Sequence, residues 1–249
     1  MRGVHMENTE RQEQILNYLL LNHFASIDEI AQNIYASGAT VRRDIQKLEQ
    51  KGFVKAVYGG VVLAEYSHSA VPISIRERKN SVAKEQIARK AAMLIQDNDT
   101  ILLDSSSSCK RICKHITNRK NLTVFTNNLG VCNKLQNTNI SVYCTGGILK
   151  NKSDLFSGYF TEEFLKHVNV DLVFFSASGL LENGDIVDYS EAGAFIRRLM
   201  LSRASKSIFL CDSSKFNNQH SFKICNVSDV SQIISDDPAI EEMLKPQTT

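Results

Sequence analysis

Between residues 100 and 235, six short apolar runs recur: TILLD (100–104), LTVFT (122–126), ISVYCT (140–145), DLVFFSA (171–177), SIFLCD (207–212) and SQIIS (231–235). Helical stretches near 108–118, 128–136, 161–168 and 191–204 lie between them. Short apolar strands separated by helices fit a mostly parallel sheet covered on both faces, because parallel neighbours need long crossover connections. This pattern restricts the larger part of the chain to the α/β class. It also fixes where a ligand would sit, beyond the C-terminal ends of the strands.

At 249 residues, 43% hydrophobic and 22% charged, the chain is globular in composition and longer than one average domain, so a second, smaller unit is expected. No apolar run reaches the roughly 18 residues of a membrane span, and MRGVHMENTE has no apolar stretch to act as a secretory signal, so a cytoplasmic protein without membrane attachment is expected. Six cysteines without a CxxC pair, and six histidines without HExxH or His-x-His, indicate neither a disulfide framework nor a zinc site. No metal or cofactor motif stands out.

The first 62 residues read as three helices and a hairpin. Thr9 and Gln12 have capping-box spacing ahead of Ile15, Leu16, Leu19 and Leu20, and the first helix should end near Asn22. Ser26 and Glu29 repeat the device before Ile27, Ile30, Ala31 and Ile34, which share one helical face. Ser37 caps a third helix with an apolar face of Val41, Ile45 and Leu48, ended by Gly52. FVKAVYGGVVL then alternates around Gly59-Gly60, a hairpin signal. The sum is a winged helix-turn-helix.

The net charge of +2 does not announce a nucleic-acid binder, but between 41 and 58 five basic residues face two acidic ones. On the third helix the side opposite Val41 carries Ala39, Arg43, Gln46 and Gln50, flanked by Arg42 and Lys47. Arg forks onto guanine, Gln onto adenine, an alanine methyl meets a thymine methyl, and flanking cations suit phosphates. A lone amphipathic helix with these charges would read as a solvated face. The two short helices before it and the hairpin after it turn the reading toward double-stranded DNA, with Ser37, Ala39, Thr40, Arg42, Arg43, Gln46 and Lys47 as the contact set.

Residues 64–80, AEYSHSAVPISIRERKN, show no clear period and contain Pro72, so the organisation is expected to be a winged helix-turn-helix over 1–63, a linker over 64–80 and a sensing α/β domain over 81–249. In the last of these, Ile87, Ala88, Ala91, Leu94 and Ile95 open a helical pattern. Four strand ends are polar: Asp104-Ser105-Ser106-Ser107-Ser108, Thr126-Asn127-Asn128, Thr145-Gly146-Gly147 and Asp212-Ser213-Ser214-Lys215. Each alone is ordinary turn material. Together, their N–H, hydroxyl and ammonium donors suit a phosphate, and Asp and Asn accept from sugar hydroxyls.

These motifs resemble the DeoR family of bacterial transcriptional regulators. S-G-A-T-V-R-R-D at 37–44, followed by Ile45, Leu48, Glu49, Gly52 and Tyr58-Gly59-Gly60, matches its N-terminal domain. Glu85 with Ile87-Ala88, L-D-S-x-[ST]-[ST] at 103–108, Thr126-Asn127, Gly146-Gly147, Gly158 and D-S-S-K-F at 212–216 match its effector-sensing domain. The resemblance implies a fold similar to sugar-phosphate isomerases and a regulator, usually a repressor, whose DNA affinity answers to a phosphorylated sugar or related metabolite. It implies that Asp104, Ser105, Ser107, Ser108, Asn127, Gly146, Gly147 and Lys215 line the effector pocket, with Arg197 and Arg198 near a basic position of the pattern. Two departures stand out. Ala56 and Tyr58 replace the usual Arg and His of the wing, which implies weaker wing contacts to phosphates. Ser106 replaces a usual glycine, which would alter a phosphate cradle that needed positive φ there.

Two rival readings come from other classes. An isomerase-like enzyme needs a positioned general base, and no carboxylate pair or His-carboxylate spacing singles one out. A DNA-binding protein with a vestigial sensor domain gains from Ser106. Because helix-turn-helix proteins commonly bind paired half-sites, a homo-oligomer is expected.

Overall fold

In this computed structural model the described residues are 8–22, 24–50, 53–63, 73–150 and 154–243. They form two units that divide between Lys79 and Asn80.

The first unit runs α1 (Asn8–Asn22), β1 (Phe24–Ala25), α2 (Ile27–Asn33), α3 (Gly38–Gln50), β2 (Val54–Val57), β3 (Gly60–Leu63) and α4 (Ile73–Arg78). The Ser26–Glu29 capping box is present in both directions: the Glu29 N–H donates to Ser26 Oγ at 3.2 Å, and the Ser26 N–H to Glu29 Oε2 at 2.8 Å. Those hydrogen bonds hold the Glu29 carboxyl below its ordinary range. Thr9's side chain, Gly52 and residues 64–72 lie outside the described residues, so the first capping box, the proposed helix stop and most of the linker go with them.

Between α2 and α3 the chain turns through Tyr35 at φ 52°, with the Ala36 N–H on Ala31 O at 3.0 Å and the Tyr35 N–H on Gln32 O at 3.4 Å. This is a Schellman ending with tyrosine where glycine is usual. Ile15, Leu19, Ile30, Val41 and Leu48 meet in the core, with Ile27 and Ala31 at its margin.

The hairpin turn differs from the sequence expectation by one residue. Val57 pairs with Gly60, so Tyr58-Gly59 is the turn, with positive φ at Gly59 alone. Gly60 belongs to β3, where a Cβ would fall 2.5 Å from Ala25 O. The unpredicted β1, paired with β3, is what demands that glycine. α4 was also unexpected; six residues are too few to show a period, and its first residue, Ile73, is buried.

The second unit begins with α5 (Ser81–Met93), β4 (Thr100–Leu103), α6 (Ser107–Ile112), β5 (Thr123–Thr126), α7 (Leu129–Leu135) and β6 (Ser141–Cys144). A hairpin of β7 (Ile148–Lys150) and β8 (Leu155–Ser157) leads into α8 (Tyr159–Lys166) and β9 (Val170–Phe175). There follow β10 (Gly179–Leu180), β11 (Asp185–Asp188), α9 (Glu191–Leu201), β12 (Ala204–Cys211), β13 (Phe222–Asn226), β14 (Gln232–Ser235) and α10 (Pro238–Glu242).

All six apolar runs lie in one parallel sheet of order β14-β12-β9-β4-β5-β6. Ile101 and Leu103 pack with Ile87, Ile112 and Val131 on one face, while Leu102 packs with Leu165, Ile196 and Met200 on the other. The sheet is therefore buried on both sides, as its uninterrupted apolar strands require. The sequence reading missed the β7-β8 hairpin and the small antiparallel sheet β10-β11-β13, whose strands are short and mixed in polarity.

Candidate functional site

The chain offers two sites, one in each unit. On α3, Ala39, Arg42, Arg43, Gln46, Lys47 and Gln50 are all exposed, on the face opposite buried Val41, Ile45 and Leu48. Ser37 caps the helix: its Oγ accepts from the Thr40 N–H at 3.2 Å and hydrogen-bonds Thr40 Oγ1 at 2.8 Å. The last residue of the T-V-R-R-D core is not on the surface. Asp44 is buried and accepts from Arg11 Nε at 2.5 Å, which fastens α3 to α1. The other nearby carboxylate, Glu49, accepts from the Ala56 N–H at 2.8 Å and so ties the wing to the recognition helix. With Asp44 neutralised inside, Arg42, Arg43, Lys47 and Lys55 dominate the exposed charge. Tyr58, at the wing tip, is fully exposed.

In the second unit, the strand order fixes the second site. β4, β5 and β6 run outward in one direction and β9, β12 and β14 in the other, so the crossover switch falls between β4 and β9. Across the strand tips the residues in order are Asp212, Ser176, Asp104, Asn127 and Thr145. This is the crevice in which open α/β sheets bind ligands.

Asp104 is buried, and both of its oxygens accept hydrogen bonds. Its Oδ1 accepts from the Ser106 N–H at 2.8 Å, and its Oδ2 from the Ser176 N–H at 3.2 Å and Arg197 Nε at 2.9 Å. Arg197 Nη1 also donates to Asp188 Oδ2 at 3.0 Å, so one guanidinium bridges two buried carboxylates. Burial pushes the Asp104 carboxyl up, but the Arg197 charge and the Ser106 hydrogen bonds outweigh it and hold it below its ordinary value. Burial likewise opposes the Arg197 charge, and Asp188 and Asp104 overcome it, raising the guanidinium's pKa. Arg198 points elsewhere, onto Lys223 O.

Ser106 has φ −77°, and its Oγ accepts from the Cys109 N–H at 3.1 Å as the N-cap of α6. The conformation makes no demand for glycine. Ser105 is half-buried, and Ser107 and Ser108 are buried.

Lys215 Nζ donates to Ser176 Oγ at 2.6 Å and lies 3.4 Å from Asp212 Oδ2. Asp212 Oδ1 accepts from Asn80 Nδ2 at 2.8 Å and Ser214 Oγ at 2.5 Å. Burial raises the Asp212 pKa, and the charges of Lys215 and Lys84 more than reverse that. Asn80 sits in the left-handed region at the start of α5, where its side chain makes no cap and reaches Asp212 instead.

Asn127 Nδ2 donates to Phe156 O at 3.2 Å. Its Oδ1, like Ser108 Oγ, is buried without a hydrogen-bond partner. Gly146 and Gly147 have φ of 65° and 107°, and a Cβ on Gly147 would lie 2.8 Å from Ser157 O. The turn requires glycine.

The structure thus brings Asp104, the 105–108 loop, Asn127 and Lys215 to neighbouring strand tips, with Gly146-Gly147 following β6 at the far side. Sequence reasoning missed Ser176, Asp188, Asn80 and Lys84. Only Lys84 left a signal, since it precedes Ile87, Ala88 and Ala91 on the buried stripe of α5 and is itself buried. Two surface hollows flank the row of strand tips, the second reaching it only at Thr145. One of about 520 Å³ is lined by Glu85, Arg89, Arg111 and Lys114, and one of about 560 Å³ by Tyr143, Thr145, Phe160 and Phe164. Neither includes Asp104, Asn127 or Lys215, so the convergent polar groups define the site. Among the described residues, no group of three or more His, Cys, Asp or Glu is placed to hold a metal ion, and no helix is long and apolar enough to cross a membrane.

Comparison with known proteins gives matches over both units. A family model described as the DeoR-like helix-turn-helix domain matches residues 11–66, and one described as the DeoR C terminal sensor domain matches 79–237. The chain is 32% identical to the HTH-type transcriptional regulator YulB of Bacillus subtilis, over 95% of this chain and 93% of that protein. It is 31% identical to the L-fucose operon activator of Escherichia coli, over 94% and 97%. Ribose 5-phosphate isomerase from Plasmodium falciparum resembles it slightly, at 19% identity and a TM-score of 0.40 over 53% of this chain and 52% of that one.

Proposed function

The chain belongs to the DeoR family of bacterial transcriptional regulators, and from that premise we propose that it is a repressor whose hold on a DNA operator is released by a phosphorylated sugar or a closely related metabolite. Arg43 and Gln46, with Ala39, read base edges in the major groove, while Ser37, Thr40, Arg42 and Lys47 position the helix on phosphates. The division of labour then falls on the two units: 1–63 binds DNA, 64–79 links, and the unit that begins at Asn80, one residue earlier than the sequence expectation, senses.

One observation carries the effector half of this reading. At the β4–β9 switch Lys215 and the 105–108 loop converge, and two nearby buried oxygens, Ser108 Oγ and Asn127 Oδ1, have no partner. An ammonium and N–H groups suit a phosphate, and the unpaired oxygens suit sugar hydroxyls. Turnover is disfavoured by the same geometry. Asp104 is locked by Arg197, and Asp212 is held down by Lys215 and Lys84, so neither carboxylate is a free general base.

Coupling needs an effector that distinguishes two conformations. Asn80 supplies a route, because the first residue of the sensing unit is hydrogen-bonded to Asp212 and Ser214 at 2.8 and 2.7 Å. An effector drawing on Lys215 must rearrange that clasp. A hundredfold loss of DNA affinity would take about 2.7 kcal/mol of coupling. The protein works in the cytoplasm as a homo-oligomer on paired half-sites.

The test is calorimetry of the full chain against a panel of sugar phosphates, with anisotropy on the duplex upstream of its own gene. A binder that lowers DNA affinity is expected, and Lys215→Ala should weaken that binder about ten- to a hundredfold without changing effector-free DNA affinity. If no phosphorylated sugar binds, the sensing reading falls; if removing the protein leaves a reporter silent rather than constitutively on, activation replaces repression.

A further inference from the structure

β6 is one edge of the six-stranded sheet, and its two faces differ. Val142 packs into the core on the side that α7 covers, while Tyr143, pointing to the other side, stays exposed. Phe125 of β5 stacks on Tyr143 with ring centroids 5.0 Å apart and meets Phe164 of α8 at 6.0 Å. Thr161 Oγ1 donates to Gly146 O at 2.6 Å, which holds the start of α8 against the turn that follows β6. Tyr159 and Phe160 project there with their rings 5.7 Å apart, and Ile148 lies against Gly158 just before them. The hollow of about 560 Å³ opens among Phe125, Tyr143, Phe160 and Phe164.

Edge strands are ordinarily guarded by charge, proline or a covering element. Residues 140–149, which contain β6 and the turn after it, include no charged residue and no proline. Tyr143, Ile148, Tyr159 and Phe160 are each more than half exposed. Together they present roughly 500–600 Å² of mostly apolar surface, more than a protein that works alone ordinarily leaves in one patch. We propose that this face, formed by β6, the turn after it and the start of α8, is where a second copy of the chain docks.

Three features select a second copy as the occupant. A stable pair buries about 800 Å² on each partner, and the four exposed residues supply most of that before the walls of the hollow and the polar rim are added. The hollow and the projecting rings lie on one surface, and a two-fold contact requires each copy to offer both halves of the fit. The rim carries both signs, with Lys166 Nζ donating to Glu163 Oε1 at 2.5 Å and His167 beside them, so two identical rims meet without strong like-charge repulsion. This inference rests on the homo-oligomer of the proposed function and names the surface that builds it.

The test is sedimentation velocity of the full chain over a concentration series, with Phe160→Glu and Met93→Lys compared with the native protein. Phe160 is the second residue of α8, where a carboxylate suits the helix dipole, and Met93 is the exposed last residue of α5, where an ammonium does, so each change suits its own helix. Phe160→Glu places a charge in the contact twice and should raise the dissociation constant about a hundredfold or more. Met93→Lys, on the opposite side of the sheet, should leave it unchanged. Hydrogen exchange on the unmodified protein gives a second measurement that needs no variant: amides of 141–149 and 159–168 should slow as concentration rises through the dissociation constant. Phe160→Glu assembling like the native protein, or concentration-dependent protection confined to other segments, would overturn the surface and leave the homo-oligomer standing. Protection of 141–149 that ignores concentration would give the face to this chain's own residues. A native protein that stays monomeric throughout would remove both the surface and the homo-oligomer, and would give the patch to a different protein.

Discussion

Replacing Arg197 with methionine keeps most of the apolar volume of the side chain and removes the charge between Asp104 and Asp188. Both carboxylates are nearly fully buried, at 1% and 3% exposure, and neither has another cation among its hydrogen-bond partners in the structure. Removing one partner of a buried ion pair costs about 3–5 kcal/mol, because the charge left behind stays desolvated. Against a domain stability of about 5–15 kcal/mol that is a large fraction. With a urea slope of about 2–3 kcal/mol per molar, the midpoint of the second unit's transition should fall by about 1–2 M.

The pH dependence gives the sharper check. In the native protein Asp104 is held below its ordinary value of 3.8, so its contribution is present above that value and fades as the pH drops through the lower folded value. In Arg197→Met the buried carboxyl lies above its ordinary value, so the variant is penalised at neutral pH and relieved as acid protonates it. The difference between the two proteins should therefore shrink between about pH 7 and 4. The combined Asp104→Asn, Arg197→Met, Asp188→Asn variant should recover much of the loss, since a neutral site needs no counter-charge. A cost under about 1 kcal/mol, or one unchanged across that pH range, would refute the argument.

Arg43→Ala should relax preference at one base position by about 1–3 kcal/mol, whereas Lys47→Ala should weaken all sequences alike and lower the salt slope by about one; equal loss across operator variants for Arg43→Ala would sink its assignment. Glu85 meets Arg111, Lys114, His115 and Arg89. Burial raises its carboxyl, but those partners bring it from 4.5 down to about 2, so its contribution is whole above about pH 4.5 and is lost on falling toward 2. Melting curves of Glu85→Gln should thus run below the native protein by about 1 kcal/mol at pH 7 and converge with it near pH 2. Ser106→Gly should cost only a few tenths of a kcal/mol and leave sugar-phosphate affinity unchanged in calorimetry, because φ at 106 is already negative; a marked gain in affinity would show that the Ser106 side chain obstructs the loop.

Local chemistry was readable wherever a few neighbouring residues decide the outcome. The Ser26–Glu29 capping box, the three helices and the six parallel strands depend on spacing within a single element. The wing turn went one residue astray because Gly60 answers to Phe24 and Ala25, a strand of two residues that has no periodicity to detect. Asp44 belonged visibly to the T-V-R-R-D core. That it faces inward follows from its place beside Val41, Ile45 and Leu48 on the helix, but its partner Arg11 lies 33 residues away.

The sensing site shows a stricter limit. Its candidate residues could be listed from strand ends, but their roles depend on which strands are neighbours, and that order is not written locally. Once β4 lies next to β9, Asp104 meets Ser176 and Arg197 and becomes an internal strut, so the carboxylate that looked most like a ligand group has both oxygens already committed to protein donors. Ser108 and Asn127, less conspicuous in sequence, keep unpaired buried oxygens, and an unpaired buried oxygen is costly to hold without a partner. On the proposed function, the groups already satisfied build the site's shape, and Ser108 and Asn127 are where an effector would gain most by binding. Substitutions in the first set should therefore register in unfolding, and substitutions in the second in effector affinity with the fold intact.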